Sequence, residues 1–281
     1  MRLLRFSISF VLLGCLPAIA SDPIHAAFGR MYNFDFAGAG RILDGYIGAN
    51  PGDPMGYTVR AASLLFSELD RLKILEAEFF ADDERLVDKK KLRPDPAVKA
   101  RFYEALTDAR DRGERLLMGD PNHLDSLFAL TLSYGLETDY MALVERKQWK
   151  SLSFAKRSNE LALRLLKLDP TFYDAHLTTG LSEYLVGSLP FFLRWVVRFE
   201  GVEGSKEQAV AKLNLVSEKG RYLGPFSRIL LALIHLREKR PSESRRLLVQ
   251  LSREYPENPL IRIELAKITE KLRTGELKDA K

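Results

Sequence analysis

The fold is decided by residues 169–209, which read DPTFYDAHLTTGLSEYLVGSLPFFLRWVVRFEGVEGSKEQA. The first half opens on Asp169-Pro170, a pair that ends the preceding helix because proline forces the residue before it out of the helical region. Apolar and small residues then recur at helical spacing up to Gly187, and a more aromatic segment begins at Pro190. We predict that the first half is one helix of a helix-turn-helix unit and that the second half is an extra element.

The rest of the 281-residue chain repeats the helical pattern. Apolar residues recur at intervals of three and four almost throughout, and alternating patterns typical of strands are nearly absent. A composition of 46% hydrophobic and 29% charged residues is ordinary for a folded protein. Short turns with proline separate the helical segments, at Asn50-Pro51, Asp120-Pro121, Asp169-Pro170 and Tyr255-Pro256. The sequence therefore predicts an all-α fold.

Around these prolines the sequence resembles the tetratricopeptide repeat, a helix pair of about 34 residues. The clearest copy is Pro225 to Asn258, in which Leu231 and Ala232 take packing positions of a first helix and Leu248 takes one of a second helix. Further copies surround Pro51, Pro121 and Pro170. The resemblance implies an all-α, tetratricopeptide-like helix-turn-helix solenoid over residues 21–273, followed by a disordered tail at residues 274–281.

The copies are irregularly spaced, which predicts insertions at residues 72–95, 139–149 and 188–204. A narrower resemblance lies in the segments MYNFDF at 31–36, LFALTLSYGLETDYMALVERK at 127–147 and EKGRYLGPFSRILLA at 218–232. They are similar to a group of exported bacterial tetratricopeptide proteins that has no established activity. This resemblance implies no ligand.

The first twenty residues have the pattern of a signal peptide. Arg2 and Arg5 precede an apolar run too short to span a bilayer, and Ala18-Ile19-Ala20 is a cleavage site of the small-x-small type. We therefore predict a signal peptide at residues 1–20 and export to the periplasm or the extracellular space. Cys15, the one cysteine, lies in a stretch that resembles the lipobox of bacterial lipoproteins, so a lipid anchor in the envelope is the alternative.

The charge of the chain argues against nucleic acid as a partner. The formal net charge is +5, but the basic residues are spread thinly and their longest run is Lys89-Lys90-Lys91. Nucleic-acid binding needs lysine and arginine clustered on one face. We predict no nucleic-acid partner.

The tetratricopeptide resemblance implies that the first helices line a concave groove that receives a protein or peptide. The positions that would face it are Asp125, Phe128 and Leu132 in one unit and Asp174, Leu181 and Tyr184 in the next. This set is acidic, aromatic and aliphatic, so a helix or an extended apolar segment fits better than an acidic peptide. Ordinary packing is an equally good interpretation of each of these residues.

The segment at residues 189–199 places Phe191, Trp195 and Phe199 at i, i+4 and i+8, with Arg194 and Arg198 beside them. Aromatic stripes at helical spacing are most often core, which here would mean a helix folded across the solenoid. Contact of Arg194 and Trp195 with a partner is a second interpretation, because Trp and Arg are enriched at interface hot spots. Contact with a membrane surface is a third.

Signals of catalysis are absent from the sequence. The four histidines, His25, His123, His176 and His235, have no second ligand at metal-binding spacing, and no nucleophile, phosphate or dinucleotide motif occurs. We predict no metal, no cofactor and no enzymatic activity, although a carboxylate pair assembled by the fold stays open. The sequence thus predicts a non-enzymatic interaction scaffold of the cell envelope, or else a membrane-associated accessory protein that uses the 189–199 segment.

Overall fold

The computed structural model describes residues 22–75, 93–190, 197 and 201–280. Within these ranges the chain contains no strand and forms eleven α-helices. They are α1 (Pro23–Tyr32), α2 (Phe36–Ala49), α3 (Pro54–Arg71), α4 (Pro96–Gly119), α5 (Leu124–Asp139), α6 (Gln148–Leu168), α7 (His176–Ser188), α8 (Lys206–Lys219), α9 (Gly224–Arg237), α10 (Pro241–Glu254) and α11 (Pro259–Thr274). The predicted signal peptide lies outside the described residues, and so do Arg194 and Trp195.

The helices pack as successive pairs. We call α1, α3, α5, α7 and α9 the first helices, and α2, α4, α6, α8 and α10 the second helices. Each second helix packs against the first helix of its own pair and against the first helix of the next pair, and α11 packs on α10 at the end of the stack. The predicted all-α, tetratricopeptide-like solenoid is confirmed by this order of packing.

Helix starts are specified by short polar-proline signals. In Asp22-Pro23 and Asp53-Pro54, the aspartate accepts a hydrogen bond from a backbone N–H of the first turn, and proline takes the first helical position. Asp95-Pro96 and Asn258-Pro259 do the same at α4 and α11. The prolines predicted to close helices all lie in turns between successive pairs, which are Pro51, Pro121, Pro170 and Pro256.

Small residues allow neighbouring helices to approach closely, as the repeat pattern predicts. A Cβ added at Gly113 of α4 would lie 3.0 Å from Leu130 of α5, and one added at Gly180 of α7 would lie 3.1 Å from Lys212 of α8. Both contacts are tighter than ordinary packing. The two glycines therefore set the distance between neighbouring helices at these crossings.

The long turns all occur at one end of the stack. Because the helices alternate in direction, turns within pairs lie at one end and turns between pairs lie at the other. The connections within pairs have few residues after α1 and α9 and more after α3, α5 and α7, where the predicted insertions at 72–95, 139–149 and 188–204 fall. Residues 76–92 of the first insertion, and 191–196 and 198–200 of the third, lie outside the described residues. The turn after α5 includes a π-helical segment, Tyr140–Val144. We call this the long-turn end.

The residues after α11, predicted to be a disordered tail, bend back onto the stack. Gly275 ends the helix in the left-handed conformation with φ of 77°, which glycine adopts without strain. The Ala280 N–H then donates to the carbonyl of Lys239 at 2.8 Å, and the Asp279 carboxylate accepts from the Ser242 N–H at 3.1 Å. These bonds attach the tail to the turn between α9 and α10.

Candidate functional site

The first helices form the inner, concave side of the solenoid. The ring of Phe66 on α3 meets the edge of the Phe226 ring on α9 at a centroid distance of 5.4 Å. The ring of Phe28 on α1 stacks on Tyr222, in the turn before α9, at 5.6 Å. The stack therefore curves until its first two pairs contact the start of its fifth.

Aromatic side chains fill the space where the ends meet. Phe128 of α5 packs against Phe172 at a centroid distance of 4.9 Å and against Tyr222 at 6.3 Å, while Tyr32 packs against Tyr255 at 5.2 Å. We call the whole set the aromatic cluster, and its members are Phe28, Tyr32, Phe66, Phe128, Phe172, Tyr222, Phe226 and Tyr255. This part of the concave side is occupied by the chain itself.

Polar contacts also join the two ends of the stack, and we call these contacts the N-terminal clasp. The Asp22 carboxylate accepts from the Arg221 guanidinium at 2.7 Å and from the Tyr222 hydroxyl at 2.9 Å. The Tyr32 hydroxyl donates to the carbonyl of Tyr222 at 2.9 Å, and the Asn258 amide donates to the carbonyl of Tyr32 at 2.7 Å. The clasp joins α1 to the turns that precede α9 and α11.

The pKa of the Asp22 carboxylate in the clasp is lower than its usual value. Partial burial alone would raise the pKa of Asp22, but the hydrogen bonds from Tyr222 and the Ile24 N–H, together with the charge of Arg221, outweigh it and lower the pKa. The clasp is therefore stabilised by the ionised form of Asp22.

Asp22→Asn is expected to weaken the clasp in a pH-dependent way. Because the pKa of Asp22 is lower in the folded chain, its ionised form stabilises the fold above a pH of about 4, and this contribution disappears as the pH falls through the folded pKa. The variant should be less stable than the parent at pH 7, by no more than about 1 kcal/mol for so exposed a pair. Urea denaturation should show the two converging as the pH falls through the lowered pKa of Asp22, and a difference in stability that stays constant with pH would contradict the assignment.

Asp174 fixes the turn that carries the clasp. Its buried carboxylate accepts hydrogen bonds from the backbone N–H groups of Arg221, Tyr222 and Leu223 at 2.9, 3.1 and 2.9 Å. Burial raises the pKa of Asp174, although these three donors oppose the shift. The side chain thus satisfies three consecutive backbone donors and holds the turn against the start of α7.

The six predicted groove residues that are described fall into two groups. Phe128, Asp174 and Tyr184 are buried and contact residues of the same chain, and the first two meet around Tyr222. The others reach the surface to differing degrees: Asp125 is exposed, and Leu132 and Leu181 are half-buried. A role of any of these residues in binding a partner stays a prediction.

Helix α7 has one face that the described residues leave partly uncovered, and we call this face the open stripe. It consists of Thr178, Leu181, Leu185 and Ser188, at i, i+3, i+7 and i+10, so these side chains share one face of the helix. Gly180 points toward α8, and the open stripe lies on the side turned away from that helix. Leu185, in the last turn of α7, is 56% exposed, and half-buried Leu181 lies one turn before it, so the two leucines form a small continuous apolar surface.

A polar border runs beside the open stripe. The Tyr184 hydroxyl donates to the Glu238 carboxylate at 3.3 Å, and the Lys206 ammonium donates to the same oxygen at 2.7 Å. The Lys206 ammonium also lies 5.8 Å from the centre of the Tyr184 ring. Burial raises the pKa of the Tyr184 hydroxyl, so this residue remains a neutral donor. Leucine side chains and a lysine–glutamate pair are thus presented together.

Glu183 holds α7 in place from the opposite side. Its buried carboxylate accepts from the backbone N–H groups of Glu203, Gly204 and Ser205 at 3.1, 2.7 and 3.1 Å, and from the Lys212 ammonium at 3.2 Å. Burial alone would raise the pKa of Glu183, but the backbone donors and Lys212 outweigh it and lower the pKa. The open stripe is therefore carried by a helix whose buried face is firmly anchored.

Neither a metal site nor a membrane-spanning element is found in the described ranges. No group of three or more His, Cys, Asp or Glu side chains there is arranged to hold a metal ion. None of the helices in the same ranges combines the length and apolarity needed to cross a membrane.

The sequence did not single out Leu185 or the clasp. Leu185 follows Leu181 by one helical turn, which is a weak signal for a shared face, but the corresponding Leu136 on α5 is buried. The clasp joins Asp22 to Arg221, and no local pattern links residues so far apart.

No protein-family profile matches the chain. No curated protein matches it either. Among solved structures, the crystal structure of a thermophilic TPR protein from Thermus thermophilus is similar, with a TM-score of 0.48 and 15% sequence identity, over 88% of this chain and 97% of that one.

Proposed function

We propose that the chain is a non-enzymatic scaffold of the cell envelope that binds a protein partner along the open stripe of α7. The observation that carries this proposal is the exposure of Leu185 beside half-buried Leu181, on a first helix of the concave side. Elsewhere on that side the aromatic cluster occupies the space. Among the described residues of the concave side, the open stripe leaves apolar surface uncovered.

The spacing of the open stripe suits an amphipathic helix or an extended apolar segment. Leu181 and Leu185 are one turn apart and offer a narrow apolar strip, which is the kind of surface that receives i, i+4 anchors from a partner. The Glu238 carboxylate and Lys206 ammonium beside it can pair with polar groups at the edge of such a segment. Apolar anchors would supply affinity, and the charged border would supply orientation.

The envelope location is supported by the signal-peptide pattern of residues 1–20. Arg2 and Arg5, the short apolar run and the Ala18-Ile19-Ala20 site are what an exported chain carries. Lipidation at Cys15 would place the same scaffold at a membrane surface. Either route brings the open stripe to partners outside the cytoplasm.

The proposal is tested by Leu185→Asp, compared with Met118→Asp. Met118 on α4 is 77% exposed, so both substitutions place a carboxylate at an exposed apolar position. Leu185→Asp should abolish the native complex of the chain in envelope extracts, seen as a loss of the larger species on size-exclusion chromatography. Met118→Asp should leave it intact. Equal loss in both variants, or none in either while circular dichroism shows both folded, would contradict the proposal.

A further inference from the structure

Trp149 stands on the surface at the long-turn end of the solenoid. It lies in the first turn of α6, and 71% of its surface is exposed. Indole has a large apolar area, and tryptophan is usually mostly buried for that reason. The exposed ring therefore needs an explanation outside the chain's own core.

Basic residues share the face of α6 that carries Trp149. Lys156 and Arg157 follow at i+7 and i+8, so both lie on the same side of the helix as the indole, and exposed Lys150 adjoins it. The opposite side faces the core, with buried Ser151, Ser158, Ala162 and Leu165. The first turns of α6 are therefore amphipathic, and their outer face is aromatic and cationic.

The carboxylates that the described residues place near this face are already paired. Glu160 binds Arg157 at 3.3 Å, and Glu145 binds Lys147 at 2.6 Å. Lys150 and Lys156 form no ion pair within the part of the chain that the structure describes. The two lysines thus leave positive charge on either side of the exposed ring.

This chemistry fits a lipid surface better than a protein or a nucleic acid. Protein interfaces are depleted in lysine, and their tryptophans fill shaped pockets. Nucleic-acid sites need longer clusters of cations, commonly with several stacking rings. A single indole flanked by long, mobile ammonium groups matches the headgroup region of a bilayer, where tryptophan is enriched and lysine meets lipid phosphates.

We propose that the first turns of α6 bind the surface of a membrane that contains anionic phospholipid. Trp149 enters the headgroup region, and the Lys150 and Lys156 ammonium groups pair with lipid phosphates. The contact is peripheral and lies on a second helix, α6, whereas the open stripe lies on a first helix, α7. The two sites use different residues, so separate substitutions can test them.

The test follows Trp149 fluorescence in the variant Trp195→Phe, which retains Trp149 as its single tryptophan. With vesicles of phosphatidylglycerol and phosphatidylcholine, the emission should shift to the blue as the ring leaves water. Vesicles of phosphatidylcholine alone should give no shift. An unchanged emission in the presence of bound anionic vesicles would overturn the proposal.

Lysine-to-glutamine variants distinguish a local binding site on α6 from general electrostatic attraction between the chain and anionic vesicles. Lys150→Gln with Lys156→Gln should weaken vesicle binding in a sedimentation assay by about tenfold or more. Lys167→Gln with Lys278→Gln removes the same charge from exposed lysines elsewhere and should change binding by less than about threefold. Equal weakening by both pairs would overturn the local site.

The ring itself is tested by Trp149→Ala in the otherwise unchanged chain. This variant should lose most of its sedimentation with anionic vesicles while its circular dichroism spectrum is unchanged. If vesicle binding persists and a host protein complex is lost instead, the ring is a protein contact and the lipid proposal is wrong.

Discussion

Asp174→Ala is expected to lower the free energy of unfolding by about 3 to 5 kcal/mol. The substitution removes the acceptor of the three consecutive N–H groups at residues 221–223, of which the Leu223 donor is buried and the other two are partly buried. A buried donor left without a partner costs about 1 to 3 kcal/mol, and a partly buried one costs less. The turn that presents Arg221 and Tyr222 to the clasp would lose its support. Urea denaturation at pH 7 measures the change.

Asp125→Ala is the matched control for this prediction. Asp125 lies four residues after Pro121, just as Asp174 lies four residues after Pro170, but Asp125 is exposed and is not the N-cap of α5. Its replacement should change the stability by less than about 1 kcal/mol, which is the usual range for a surface acid in a helix's first turn. Asp174→Asn, which keeps one acceptor oxygen, should fall between the two. Similar small losses for Asp174→Ala and Asp125→Ala would show that the turn does not depend on Asp174.

Phe128→Ala is expected to cost about 3 to 5 kcal/mol, the range found when a large aromatic side chain is removed from a packed interior. Phe128 is only 2% exposed, and its ring packs between Phe172 and Tyr222, so its loss would leave a cavity where the two ends of the stack meet. The measurement is again the free energy of unfolding from urea titration.

Leu185→Ala provides the comparison, because Leu185 is also a large apolar residue on a first helix but is exposed. It should lose less than about 1 kcal/mol of stability. If Phe128→Ala were as mild as Leu185→Ala, the ring would be accessible, and the aromatic cluster would be open groove rather than core.

Helix pairing was predictable because its signals are local. Proline after Asn50, Asp120, Asp169 and Tyr255 marks four of the turns that follow second helices, since it ends one helix by geometry that needs no tertiary contact. The turn between α8 and α9 has no such proline. Small residues such as Gly180 at crossing positions likewise indicate where helices approach. These local signals do not depend on how the helix pairs are arranged relative to one another. The sequence alone therefore predicts the order of the helices.

The candidate site was harder to predict, because which of its residues are buried depends on contacts between parts of the curved stack that are distant in sequence. Asp125 and Asp174 are equivalent in the repeat pattern, yet one is exposed and the other is buried under the turn before α9. What separates them is a tertiary contact, because the N–H groups of residues 221–223 reach Asp174, and the same turn brings Tyr222 against Phe128. Curvature is the sum of small rotations between pairs, and no single residue encodes it.

The exposure of the open stripe was hard to predict from the sequence for the same reason. Leu136 and Leu185 occupy corresponding positions on α5 and α7, but Leu136 is buried and Leu185 is not. Only the packing of neighbouring pairs distinguishes the two leucines.

The most direct test of partner binding at the open stripe is photocrosslinking in the native host with a benzophenone side chain at Leu185, compared with the same group at Met118. One discrete protein adduct at Leu185 is predicted, absent at Met118 and lost when Leu181→Asp is added to a chain that remains folded. Binding of the identified protein to the purified chain should show the same dependence on Leu181. The absence of any adduct at Leu185, or identical adducts at both positions, would contradict the scaffold account.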